Sequence, residues 1–83
     1  MSGSLNQALQ TPEERKLEYV QTQIEEMKAI YLRNEVDIYI NKTAKWDEHE
    51  QQEVDLKVTQ LERQNKTLTK AIEALEKLQT ELE

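Results

Sequence analysis

Apolar residues return along this chain in steps of three and four, in two separate blocks. In the first, Leu17, Val20, Ile24, Met27, Tyr31 and Ile38 keep that rhythm, with Asn34 in the one skipped position. Such spacing confines apolar side chains to one stripe of a helix, which turns once every 3.6 residues. In the second block Val54, Val58, Leu61, Leu68, Ile72, Leu75 and Leu82 continue it, with Asn65 inside the stripe. The two frames differ in phase by one residue, and between residues 41 and 53 only Ala44 and Trp46 are apolar. One helix through both blocks, ~70 residues and about 105 Å long, would carry a polar waist at that point. Folding back lets two stripes of similar length bury each other. The pattern therefore predicts an all-α protein of two long helices, about 12–41 and about 45–83, forming an antiparallel hairpin. An extended coiled coil is the alternative, and either form is expected to be completed by oligomerisation or a partner.

Start and stop signals refine the boundaries. Gly3 and Pro12 are the only Gly and Pro, so no breaker interrupts residues 13–83. "TPEE", residues 11–14, combines an N-cap (Thr11), a proline at the first helical position and a glutamate two residues on to complete a capping box. Residues 1–11 read as an N-terminal tail, with Leu5, Ala8 and Leu9 the only candidates for a docking turn. Residues 35–40 alternate apolar and polar and would suit a strand, but a lone strand has nothing to pair with, so they are read as helix. In "NKTAK" Asn41 is the expected C-cap and Thr43 the expected N-cap of the second helix, placing the turn at 41–45.

Neither stripe is narrow. Ala29, Ile30 and Leu32 widen the first, and Ala71, Ala74 and Leu78 widen the second. More than one neighbouring helix is implied. Met27, Tyr31 and Tyr39 read as ordinary core packing and not as a ligand pocket.

With Val54, Leu61, Leu68, Leu75 and Leu82 at heptad position d, position a holds Val58, Asn65, Ile72 and Gln79. This arrangement resembles a leucine zipper, which implies a parallel two-stranded coil whose register is set by the buried asparagine. Asn65 is accordingly expected either to meet Asn65 of a second copy or to face water at a hairpin edge. Charge pairs across such a dimer are sparse. The pairs Glu53–Lys57, Glu62–Lys66 and Glu73–Lys77, four residues apart, are expected to form a solvated face.

Composition removes several function classes. The 83 residues are 36% hydrophobic and 34% charged, with no cysteine, a net charge of -6 and a mean hydropathy of -0.92. Disulfides and thiolate metal sites are excluded. "DEHEQQEVDL", residues 47–56, carries five acids and no Lys or Arg. It occupies the place where a basic-zipper transcription factor has its DNA-binding arm, so no nucleic-acid contact is expected. No apolar run approaches a membrane span, and the first residues show no leader pattern. The expected location is the cytoplasm, or a particle assembled inside the cell.

Candidate chemistry is thin. His49, Glu50 and Glu53 cluster on one turn, but His49 is the only histidine and tight zinc sites need further nitrogen or sulfur ligands. No cofactor, metal, small-molecule substrate or catalytic residue is expected, and the chain is read as non-enzymatic. Trp46 either seals the hairpin end or anchors a partner. The expected interaction seam comprises Leu17, Val20, Ile24, Met27, Tyr31, Ile38, Val54, Val58, Leu61, Asn65, Leu68, Ile72, Leu75, Leu78 and Leu82. Its expected use is structural, in the assembly of a larger complex of secretion-apparatus, virion or cytoskeletal type. The alternative is a small regulator or chaperone that masks a helix of a client protein.

Overall fold

A computed structural model describes residues 10–83. The expected tail, with Leu5, Ala8 and Leu9, lies almost wholly outside the described residues. Two helices, α1 (Pro12–Thr43) and α2 (Glu48–Leu82), pack against each other as an antiparallel hairpin. The extended rod is not formed.

Helix α1 begins where its sequence predicts, with the threonine half of the expected capping box formed. The Thr11 hydroxyl accepts from the Glu14 amide at 3.1 Å, Pro12 occupies the first turn, and Glu13 and Glu14 lie at the positive end of the helix dipole. The alternating stretch 35–40 is helical throughout.

The turn differs from expectation. Asn41 does not cap α1, and no described residue has a positive φ. Instead its side chain is buried in the seam and its Nδ2 donates to the Asp37 carbonyl one turn back, so the helix runs on to Thr43. Thr43 is therefore the last residue of α1 and not the cap of α2. That cap is Asp47, whose carboxylate accepts from the Glu50 amide at 2.7 Å. A carboxylate at this position satisfies a free amide and also interacts favourably with the helix dipole, which gives Asp47 an advantage over a threonine hydroxyl. The connection is thus the four residues 44–47, and Ala44 and Asp47 are both extended.

Trp46 closes this end. Its indole Nε1 donates to the Asn41 carbonyl at 2.9 Å, and its ring is half-buried. Ala44 donates to the Ile40 carbonyl at 3.0 Å. Two of the carbonyls that every helix leaves open at its C-terminus are thereby satisfied.

Register follows from three cross-helix contacts. Asn34 is level with Asn65, and the long side chains of Lys28 and Lys42 reach Glu76 and Glu62, which lie further toward the C-terminus of α2 than that level. On this register Thr43 stands beside residues near 56, so the first two turns of α2 rise past the end of α1 alongside the connection. At the other end the opening turn of α1 extends beyond the end of α2. The helices are staggered, and each covers only part of the other.

Candidate interaction surface

Every expected seam residue is at least half-buried, and the most enclosed apolar ones are Val20, Ile24, Val58 and Ile72. On α2 the a positions Val58, Asn65 and Ile72 are buried, while Gln79 and the d leucines are only half-buried. A single facing helix covers one flank of a heptad stripe, which leaves Leu61, Leu68, Leu75 and Leu82 partly open on the other.

The middle of the seam is polar. Asn34 Nδ2 donates to Asn65 Oδ1 at 2.9 Å and to Gln64 Oε1 at 2.9 Å, and Asn65 Nδ2 donates to the Tyr31 carbonyl at 3.3 Å. Asn34 is 2% exposed and Asn65 8%. Asn65 therefore neither meets a second Asn65 nor faces water. Its partner is Asn34 of the same chain, the residue in the skipped seam position. Among the described residues no buried side-chain polar atom lacks a partner, so the hairpin is self-sufficient in hydrogen bonding.

Exposed apolar residues gather on the outer side of α1. Leu32, Val36, Tyr39 and Ile40 are 61%, 58%, 69% and 51% exposed. The expectation that Tyr39 packs in the core is thus overturned: it lies one position past Ile38, a turn of 100° that carries it out of the seam. Steps of four and three from Leu32 to Val36 to Tyr39 make this a second stripe on the same helix. In the sequence Val36 and Ile40 sit in an alternating run, and their helical spacing shows only when measured from Leu32.

Between the helices, on the side flanked by Leu32 and Tyr39, runs an open groove. One part, of about 480 Å³, is lined by Tyr31, Ile38, Tyr39, Asn65 and Thr69 among others. The adjoining part, of about 370 Å³, is lined by Leu32, Ile72 and Glu73, and again by Tyr31 and Thr69. Ion pairs mark its two ends, Lys28–Glu76 at 3.6 Å and Lys42–Glu62 at 3.4 Å. None of the three expected i,i+4 pairs closes to ion-pair distance among the described residues; Glu62 reaches across to Lys42 instead.

Two carboxylates modify their surroundings. Glu35 accepts from the Tyr31 hydroxyl and its charge opposes a phenolate, which raises the Tyr31 pKa above its ordinary value. The bonds from Glu50 hold the Asp47 carboxyl below the ordinary range. Among the described residues no group of His and acidic side chains is arranged to hold a metal ion, and no helix is long and apolar enough to cross a membrane.

No family model, curated protein or solved structure matches the chain. The fold and surface define an antiparallel coiled-coil hairpin with a self-paired polar seam and a second apolar stripe on its first helix.

Proposed function

We propose that this protein is a non-enzymatic interaction module, a helical hairpin acting as a structural or assembly component of a larger complex of secretion-apparatus, virion or cytoskeletal type. The observation that carries this reading is the stripe Leu32, Val36, Tyr39 and Ile40. Leu32 and Tyr39 border the groove between the helices while Val36 and Ile40 lie outside it, and all four remain more than half exposed after the hairpin has closed. Four large apolar side chains, each more than half exposed and in helical register, are suited to docking on another protein.

The hairpin presents this stripe on a rigid element. Thr11 and Asp47 cap the two helices, Trp46 closes the turn, and the Asn34–Asn65 pair fixes the register. A preformed surface loses less conformational entropy on association than a segment that must first fold.

One observation favours the client-masking alternative. Because Asn65 is satisfied by Asn34 within one chain, the seam does not require a second copy, and the stripe on α1 is equally able to cover a client helix. The module reading is tested with a photo-reactive amino acid at position 39 in the cells that make the protein. Protein adducts at position 39 and none at the exposed polar position 52 are expected. Absence of any protein adduct at position 39, to itself or to another chain, overturns it.

A further inference from the structure

We infer that the groove between Lys28 and Lys42 is the docking face for a second copy of this chain, an assignment that rests on the interaction-module reading and names its partner. The two copies meet face to face about a two-fold axis that runs along the hairpin.

The charges along the groove carry this assignment. Lys28, Glu35 and Lys42 are seven residues apart on α1 and share one face, as do Glu62, Thr69 and Glu76 on α2. The outer rungs of this ladder are ion pairs, Lys28 with Glu76 and Lys42 with Glu62. By the same spacing the middle rung would join Glu35 to Thr69, which offers no positive charge. Among the described residues, neither Glu35 nor the nearby Lys66 and Glu73 of α2 forms an ion pair within the chain. Lys66 and Glu73 both line the groove. Three charges of mixed sign on one face thus have no ion-pair partner within the described residues, Glu35 being held only by the Tyr31 hydroxyl.

A two-fold axis along the hairpin supplies their partners. Rotation about that axis keeps every residue at its own level and places α1 of one copy over α2 of the other. Glu35 then lies opposite Lys66 of the second copy, and Lys28 opposite its Glu73. Symmetry repeats both contacts, so four charge pairs form. Leu32 arrives at the level of Thr69 and Ile72, and Tyr39 at the level of Asn65 and Lys66, the two lobes of the groove. The crosswise axis through the groove centre instead sets Lys28 against Lys42, Glu62 against Glu76 and Glu35 against its own copy, and only Lys66 then meets an opposite charge, Glu73.

The area sets the strength. From Lys28 to Lys42 is about 21 Å of helix, and two helices present a width of about 20 Å, giving a footprint of about 400 Å² per copy. A standard stable interface buries roughly twice that on each side. The dimer is therefore reversible and dependent on concentration, and added salt weakens it because charge pairs contribute to it.

The test is a charge exchange followed by sedimentation equilibrium up to about 1 mM protein, a range suited to weak association. The wild-type chain is expected to dimerise, and Glu35→Lys or Lys66→Glu alone to weaken its own dimer by about tenfold or more. An equimolar mixture of the two variants is expected to restore the dimer, since both inter-copy contacts again join opposite charges. Pairing of the same residues within one chain would give no such recovery on mixing. Circular dichroism of each variant checks that the hairpin is intact, and Tyr39→Ser removes an apolar contact without touching the ladder. A monomeric wild-type chain, or failure of the mixture to associate, overturns the assignment. If position 39 nevertheless crosslinks to a different protein, the second copy is ruled out as the partner while the module reading stands; if it crosslinks to nothing, both fall.

Discussion

Asn34 and Asn65 lie 31 residues apart in the chain and join side chain to side chain at 2.9 Å in the middle of the seam. This contact makes the hairpin specific. An aliphatic pair at this level would tolerate slippage by a heptad, whereas an amide displaced against a valine or isoleucine loses its partner in a dry place.

Removing one amide should therefore cost more than removing both. Asn34→Val or Asn65→Val alone is expected to destabilise the hairpin by about 1–3 kcal/mol, because the remaining amide is left underpaired. The double substitution should be close to neutral or stabilising, at the expense of register. Urea unfolding of all four proteins gives the coupling directly. Additive single effects would show that the two amides do not act as a unit.

Trp46 should act as a lid through its N–H as well as its ring. Trp46→Phe keeps most of the apolar area but leaves the Asn41 carbonyl without the indole donor. A loss of about 0.5–1.5 kcal/mol is expected, measured by thermal unfolding monitored by circular dichroism. In the wild-type protein Trp46 fluorescence should report the same transition as helicity. A separate, earlier fluorescence change would mean that the turn opens independently.

Acid should weaken the start of α2 first. The Asp47 pKa is lowered in the folded hairpin, so its contribution is complete above the unfolded aspartate value of about 3.9 and is lost as pH falls through the lower, folded value. Amide signals of residues 48–51 in an NMR pH titration should broaden or shift in that window. Asp47→Ala should remove this response and lower helicity at neutral pH.

The ion pairs at the groove ends contribute little to folding. Lys28 and Lys42 and their partners are about half exposed, so Lys42→Ala or Lys28→Ala is expected to change stability by less than about 1 kcal/mol. Chemical denaturation checks this, and a larger loss would mean that the groove edge is structural.

Much of this arrangement was legible in the sequence, and the misses have physical causes. The two stripes, their break in phase and the polar stretch between them pointed to a hairpin, because periodicity records which face a helix buries. The Thr11–Pro12–Glu14 start was explicit for the same kind of local reason. The turn falls later than Asn41 and Thr43 suggest because these residues have turn-forming chemistry in isolation, and only the seam shows that Asn41 faces inward and continues the helix. "DEHE", residues 47–50, carried the correct cap, an aspartate with a glutamate three residues on, but read as a charged surface. The second stripe alone leaves Asn65 either a copy of itself or water as partner, because a single stripe offers no view of what lies opposite. The clue was Asn34, the same residue type in the one gap of the other stripe. Tyr39 looks like a core residue by type, and only its angle from Ile38 shows that it turns out of the seam.

The two helices pair within one chain, and a distance measurement tests this pairing most directly. Spin labels on cysteines introduced at the exposed positions Glu26 and Lys77, in protein diluted with an excess of unlabelled chain, read the separation by pulsed electron resonance. The hairpin sets the two helix axes about 10 Å apart, so a short distance limited mainly by the label arms is expected, unchanged by dilution. A separation near 77 Å, that of a continuous helix between these positions, or a short distance that disappears on dilution, would contradict it.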